Sequence, residues 1–301
     1  MAILIDKKTN ALIQGITGKE GSRACREMLN YGTKVLAGVT PGKGGIGVES
    51  VPVYDTVAEA VAKHPGINAS LITVPAPAVL DACLEAISSG IPLIDILTEH
   101  VTVRDCAHLY AAARRAGVRI VGPSSVGIIS PGKGKIGSVG SGGVDKIFKP
   151  GPVGVISKSG GMTSEIVVTL SRAGIGQSTA LGIGGDQIVG SDFVDILELF
   201  EKDKETRATV IFGEIGGTYE ERVAEWVRAK KIRKPIVAVI AGKFTETLPK
   251  DTVLGHAGAI VAKGKGSYDS KIKALRRAHI PVASTLEEIP ILLKNALRGK
   301  I

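Results

Sequence analysis

ALIQGITGKEGSRACREMLNYG, residues 11–32, decides the reading of the fold. Residues 11–14 make a short buried strand, Gly15 to Gly21 make a glycine turn, and 22–31 have helical spacing that stops at Gly32. A strand that runs through glycines into a helix is a βα unit, and its turn can offer backbone N–H groups and a helix N-terminus to an anion. The glycine spacing is G-x-x-G-x-x-G, not the dinucleotide fingerprint G-x-G-x-x-G. No acidic residue of the ribose-binding kind ends the next strand, so NAD is disfavoured. A plain tight turn is the alternative reading of the same residues.

Outward from this unit, β-branched runs alternate with helical patterns along nearly the whole chain, which predicts an α/β architecture with parallel sheets. Strands are expected at 34–39, 69–74, 93–97 and 118–121, with helices near 57–63, 78–88 and 103–116 between them. A glycine- and proline-rich stretch then breaks the rhythm, from Gly122 through Pro131, Gly137, Gly140, Gly142 and Gly143 to Pro150. The alternation restarts with strands at 153–157, 178–182, 208–212 and 236–240 and helices near 162–173, 192–202 and 219–230. A chain of 301 residues is long enough for two domains. The expected division is a first domain over 1–125, a Gly/Pro-rich connection over 126–149, and a second domain over 150–301.

The chain is 44% hydrophobic and 22% charged, an ordinary globular balance, and its 39 glycines cluster after apolar runs where a backbone turns or meets a ligand. The net charge of +9 suits either a polyanion or a strongly anionic small molecule. The basic residues are scattered, aromatics make up only 4%, and no nucleic-acid-binding motif is present, so the small anion is favoured. Cys25, Cys83 and Cys106 lack metal-ligand spacing and read as reduced core thiols. The N-terminal residues have neither a signal-peptide h-region nor a transit-peptide composition, and no apolar run is long enough to span a bilayer. The expectation is a cytoplasmic chain with no membrane partner.

Four segments carry candidate chemistry. Beyond the first glycine turn, Thr40-Pro-Gly-Lys43-Gly-Gly45 holds a lysine on a loop at the carboxyl edge of the sheet, where it could meet a phosphate or stand simply solvated. At 157–165, Ser-Lys-Ser-Gly-Gly-Met-Thr-Ser-Glu again takes a strand through glycines into a helix. Free N–H groups at Ser159, Gly160 and Gly161 and the hydroxyls of Ser159 and Thr163 would make a phosphate cradle, or merely a capped helix start. His256 sits in Gly255-His-Ala-Gly258-Ala-Ile260, among small neighbours that would let a phosphate approach, whereas His64, His100, His108 and His279 read as helix-end, surface or packing residues. A histidine nucleophile needs one ring nitrogen fixed by an acceptor, and Glu214, in Gly213-Glu-Ile-Gly-Gly217 just past a strand, is the candidate; a helix-capping glutamate is the alternative.

Taken together, QGITGKEG (14–21), YGTKVLAGVTPGKGG (31–45), VPVYDTV (51–57), LTEH (97–100), GIGGDQIVGSDF (182–193), FGEIGGTYEE (212–221) and LGHAGAIV (254–261) occur in an order and spacing that resemble the α subunits of succinyl-CoA synthetases, within the NDP-forming acyl-CoA synthetase superfamily. The resemblance implies a Rossmann-like CoA-binding domain followed by a flavodoxin-like ligase domain. It assigns coenzyme A to Thr17, Gly18, Lys19, Glu20, Lys43, Leu97, Thr98 and Glu99. His256 matches the phosphorylated histidine, Glu214 the residue that orients it, and Ser159, Gly160, Gly161 and Thr163 one of two helix ends that bind the phosphate, with Ser164 at a substrate-contacting place. The other helix end would come from an ATP-grasp-type β subunit holding Mg²⁺ with ATP or GTP, in a heterodimer or heterotetramer; no metal is assigned to this chain. The implied reaction is reversible: nucleotide phosphorylates His256, the phosphoryl group passes to succinate, and CoA thiol displaces phosphate.

This chain departs from the family pattern in three places. KSGGMTSE at 158–165 stands where the family reads close to RSGTLTYE, so Ser164 replaces a tyrosine, and the SGGM wording is similar to ATP-citrate lyase and citryl-CoA synthetase. A bulkier acid, citrate or malate, is therefore an alternative. Residues 122–127, GPSSVG, lack the family's Asn-Cys-Pro, and the loop over 243–254 is a few residues long. An alternative of another class is a CoA-binding sensor without catalysis, which predicts a degenerate second domain.

Overall fold

The computed structural model describes residues 2–140, 143–247, 255–261 and 266–298. Gly142 of the glycine-rich stretch and positions 248–254 of the long loop lie outside the described residues. Among the described residues, the strands form two seven-stranded sheets.

The first sheet contains β1 (Asn10–Gln14), β2 (Lys34–Val39), β3 (Gly47–Val48), β4 (Val51–Tyr54), β5 (Ala69–Ile72), β6 (Leu93–Ile96) and β7 (Arg119–Val121) in the order β3-β4-β2-β1-β5-β6-β7. All pairings are parallel except the small hairpin of β3 with β4. Leaving β3 aside, the strands run 3-2-1-4-5-6 in chain order, which is the Rossmann arrangement, with its reversal between β1 and β5. Helices α1 (Lys19–Asn30), α2 (Val57–Lys63), α3 (Val79–Ser88) and α4 (Val103–Ala116) connect them. β5 and β6 are buried along their whole length, as strands covered on both faces must be, which is why they read as apolar runs without alternation.

The second sheet contains β8 (Gly127–Ser130), β9 (Gly134–Gly137), β10 (Pro150–Ser157), β11 (Gln177–Gly182), β12 (Ala208–Glu214), β13 (Ile236–Ala241) and β14 (Val282–Ala283) in the order β14-β13-β12-β10-β11-β8-β9. Its parallel strands β10 to β14 run 2-1-3-4-5, the flavodoxin order, with the switch point between β10 and β12. Its helices are α5 (Val144–Ile147), α6 (Gly160–Arg172), α7 (Phe193–Lys202), α8 (Tyr219–Arg228), α9 (Tyr268–Arg277) and α10 (Glu288–Arg298).

The stretch 126–149, expected as a connection, supplies β8 and β9, an antiparallel hairpin on the β11 edge. Its glycines read as loop because they serve backbone packing: Gly127 has φ +110, and a Cβ there would lie 2.1 Å from Ile136 O. The hairpin also touches the first sheet's domain, where Thr33 Oγ1 donates to Lys135 O at 2.8 Å. Ile13, Leu71, Leu93 and Val121 of the first sheet share one apolar cluster with Ile128, Ile136, Ile156 and Leu181 of the second, so the two units meet through a continuous core. Cys25, Cys83 and Cys106 are buried and unpaired with one another, and burial pushes the Cys25 thiol up to about 11. Among the described residues, no helix is long and apolar enough to cross a membrane.

Candidate functional site

The carboxyl edges of the two sheets face a common cavity of about 690 Å³. Glu20, Leu97, Thr98 and Glu99 line it from the first unit, and Ser159, Gly160, Gly161 and His256 from the second.

On the first side the turn is shorter than its sequence suggests, because α1 begins at Lys19 and Gly21 lies inside the helix. A Cβ on Gly21 would lie 2.3 Å from Gly15 O, so only glycine lets the helix close onto the turn that precedes it. Gly18 caps α1 without a side-chain hydrogen bond, leaving N–H groups of the first turn to a ligand. Thr17 Oγ1 lies 3.2 Å from Thr40 Oγ1, which ties this turn to the neighbouring loop that carries Lys43. Thr17, Gly18, Lys19 and the exposed Lys43 stand on the same sheet edge but outside the cavity wall. The 97–99 segment is held from both sides: Leu97 N donates to Ile72 O at 3.0 Å and Thr98 Oγ1 to Val74 O at 2.6 Å, while Ser124 N donates to Thr98 O at 2.9 Å.

On the second side, the start of α6 spends more of its polar groups than the sequence suggests. Ser159 N–H donates to Ser157 Oγ at 3.0 Å, the Ser159 hydroxyl caps Met162 N at 3.4 Å, and the fully buried Thr163 hydroxyl donates to Ser159 O at 2.8 Å. The three N–H groups and two hydroxyls expected at this cradle therefore reduce to the N–H groups of Gly160 and Gly161 and the Ser159 hydroxyl, which accepts from Met162 and keeps its own O–H to donate. Gly160 is required by packing, since a Cβ would meet Val126 Cβ at 2.9 Å, whereas a Cβ on Gly161 would meet nothing. Thr163 and the half-buried Ser164 do not line the cavity.

His256 rests on the backbone of Gly185, where a Cβ would lie 2.5 Å from the imidazole Cγ. Its loop is held by Gly258 N donating to Gly185 O at 2.9 Å. Glu214 is the last residue of β12, which runs two residues beyond the expected strand end at Phe212. Its Oε2 lies 2.7 Å from His256 Nδ1. A carboxylate only accepts, so Nδ1 carries the proton and Nε2 is left with its lone pair. That hydrogen bond raises the imidazole's pKa above its usual 6.5, with burial opposing and the Glu214 charge adding to the rise. The imidazole side chain is 34% exposed against 12% for the glutamate, so the pair presents the ring and keeps the acceptor behind it. Arg23, Ser124, Val126, Ser138 and Lys158 also line the cavity and were not singled out in the sequence. Their signal was faint: Ser124 and Val126 follow β7, and Lys158 follows β10, at the strand ends where α/β ligand sites collect.

The family model of the CoA binding domain matches residues 6–100, and that of CoA-ligase matches residues 156–280. The chain is 48% identical over 297 residues to a succinate–CoA ligase [ADP-forming] subunit alpha of Archaeoglobus fulgidus, covering 99% of this chain and 100% of that one. It is 47% identical to the corresponding alpha subunit of Aquifex aeolicus, over 92% of this chain and 89% of that one. Among solved structures, an ATP citrate lyase of Methanosaeta concilii in complex with (3S)-citryl-CoA superposes with a TM-score of 0.92 at 26% identity, covering 99% of this chain. This chain spans 51% of that protein's length.

Proposed function

The chain belongs to the family of succinate–CoA ligase alpha subunits, and from that premise we propose that it is the CoA-binding, phosphohistidine-bearing subunit of a succinate–CoA ligase. The carrying observation is the 2.7 Å hydrogen bond between Glu214 and His256 in the wall of a cavity that also receives the CoA-side loops.

With Nδ1–H held by Glu214, Nε2 attacks the terminal phosphorus of a nucleoside triphosphate, and the diphosphate leaves. The N–H groups of Gly160 and Gly161 and the positive end of α6 receive the oxygens of the phosphoryl group. Transfer to a succinate oxygen frees Nε2, and the CoA thiol, brought in by the first unit, displaces phosphate from the acyl phosphate. Thr17, Gly18, Lys19 and Lys43 hold the nucleotide end of CoA on the outer sheet edge, while Glu20, Leu97, Thr98 and Glu99 line the path of its thiol arm inward. The uncapped first turn of α1 fits an anionic CoA phosphate. The domains we assign are 1–125 for CoA and 126–301 for the ligase chemistry, the hairpin of β8 and β9 included.

The nucleotide, ATP or GTP with Mg²⁺, belongs to an ATP-grasp-type β subunit that completes the phosphate site with its own helix end. The citrate or malate alternative raised by the SGGM wording is not favoured, because the likeness to ATP citrate lyase is 26% where that to succinate–CoA ligases reaches 48%. A sensor without catalysis is disfavoured by an intact pair of His256 and Glu214. The test is to co-express the chain with its β partner and incubate the complex with labelled nucleotide and Mg²⁺. Acid-labile label on His256, absent after His256→Asn, is expected; label that survives the substitution refutes the assignment.

A further inference from the structure

The cavity wall holds a charged group that the mechanism above does not use. Lys158 follows β10 and precedes α6, is 3% exposed, and lines the cavity together with Gly160, Gly161 and His256. Burying an ammonium costs several kcal/mol unless close partners compensate. Its nearest carboxylate oxygen, Glu220 Oε1, is 3.9 Å away, beyond hydrogen-bond reach, and the Tyr219 ring centroid is 5.3 Å away. No hydrogen bond from its ammonium is found among the described residues. Glu220, fully buried, is already engaged: it forms an ion pair with the buried Lys271 and accepts from Glu214 N–H at 3.2 Å. Arg23, the other cation on the wall, is half exposed and paired with Glu20 at 2.6 Å. Lys158 is thus a buried cation with loose partners, beside the imidazole whose pKa its charge lowers.

We propose that Lys158 is a catalytic residue of the phosphoryl-transfer steps, its ammonium turning from Glu220 to the phosphoryl oxygens carried on His256 Nε2. The proposal rests on the phosphohistidine reading above. As the N–P bond forms, the P–O bond to the diphosphate breaks and the diphosphate leaves with that electron pair; in transfer to the acid the N–P bond breaks, a carboxylate oxygen takes the phosphorus, and Nε2 recovers its pair. Lys158 neither gains nor loses a proton. It supplies a positive charge where this chain's other donors, the N–H groups of Gly160 and Gly161 and the Ser159 hydroxyl, are neutral. Such preorganised charge acts most strongly where water is excluded. Removing the ammonium leaves Glu220 still paired with Lys271, so the variant keeps its buried carboxylate compensated.

The test compares wild type, Lys158→Met, Lys158→Gln and Lys158→Arg, each as the complex with the β partner. Three quantities are read: the rate of labelling of His256 by nucleotide, the KM for inorganic phosphate in the direction of nucleotide synthesis, and the Kd for CoA by calorimetry. In the two neutral variants, labelling should fall about 100-fold and the phosphate KM should rise about tenfold, while CoA affinity stays within about twofold. Arginine should restore labelling to within about tenfold of wild type. Whichever neutral variant folds suffices. Labelling reduced less than tenfold, or CoA affinity lost in step with labelling without rescue by arginine, overturns the role of Lys158 and leaves the phosphohistidine standing. Absence of label in the wild-type complex overturns the phosphohistidine reading and this inference with it.

Discussion

Asp95 offers a quantitative test of how the two units are joined. It sits on β6, fully buried, and both of its carboxylate oxygens lack a hydrogen bond among the described residues. Ser125 lies close and draws the carboxyl's pKa down a little, but its hydroxyl already donates to Gly182 O at 2.8 Å and accepts from Gly127 N at 2.9 Å. Burial dominates and pushes the carboxyl from its ordinary 3.8 to about 7. Between those values the folded chain binds a proton that the unfolded chain has lost, so stability falls as pH rises through this window and is flat above it. At about 1.4 kcal/mol per pH unit, the penalty is about 1–2 kcal/mol at pH 5 and reaches about 4 kcal/mol at pH 8. Asp95→Asn removes the charge at nearly constant volume. Every other titrating group is shared by the two proteins, so the pH slope of their difference reports Asp95 alone. Urea denaturation of both at pH 4, 5, 6, 7 and 8 should show near equality at pH 4 and an advantage for the variant that grows by about 3 kcal/mol between pH 5 and 8. A difference that stays constant with pH, or a variant less stable at pH 8, would refute the reasoning.

Gly185→Ala places a methyl 2.5 Å from the His256 imidazole. Labelling of His256 should fall at least about tenfold with CoA affinity unchanged, as measured by phosphohistidine yield and calorimetry. Glu214→Gln replaces the charged acceptor that raises the His256 pKa with a neutral amide whose N–H₂ can also face the ring. The neutral, reactive imidazole should then appear at lower pH, so the rising limb of the labelling-rate profile moves toward acid while its plateau drops by about 100-fold through loss of the oriented tautomer. Gly21→Ala drives α1 off Gly15 O, now 2.3 Å from the added Cβ. Overpacking of this kind costs about 1–3 kcal/mol, and CoA affinity should fall while nucleotide labelling of His256 persists.

The strands and helices that read clearly in the sequence are those with long apolar runs. The strand at Lys34–Val39 and the helices at Val57–Lys63 and Val103–Ala116 occupy the residues their spacing indicates. Past 240 no element was read, and α9 and α10, of 10 and 11 residues, went unassigned; the other elements that stayed hidden were short or glycine-rich. β3 and β14 have two residues each, and β8 and β9 are bounded by Gly127, Gly134 and Gly137, whose lack of side chains reads as loop although close backbone contact is the reason for it. At the site, the pairing of Glu214 with His256 was legible as chemistry, a base next to its acceptor, even though 42 residues separate them. That Ser159 caps Met162 and that the Thr163 hydroxyl is spent on Ser159 O were not legible, because capping and cradling use the same residue types. Lys158 escaped notice for the opposite reason: a lysine beside serines looks solvated until the fold encloses it.

The glycines at the junction of the units explain how two separate α/β units come to share one reaction centre. Each unit has its own switch point, between β1 and β5 in the first and between β10 and β12 in the second, and each would suffice for a ligand alone. Bringing a CoA arm and a histidine to the same phosphorus requires those edges to approach within the length of a side chain, and ordinary residues at the junction would hold them apart. Here a Cβ on Gly184 would lie 1.8 Å from Pro123 O, one on Gly122 would lie 2.4 Å from Ile96 O, and one on Gly182 would lie 2.8 Å from Val126 Cγ1. Gly184 against Pro123 joins the second unit to the first, backbone against backbone, while Gly122 closes the loop after β7 onto the end of β6 and Gly182 makes room for the Val126 side chain beside that contact. Close approach also dries the junction, which raises the cost of every charge left there and makes the few that remain, Lys158, Glu214 and Asp95, sensitive to what sits beside them. The same packing that aligns the chemistry therefore sets its electrostatics. It follows that enlarging a junction glycine should disturb phosphoryl transfer and the pH dependence of stability together, though neither His256 nor Asp95 has been touched.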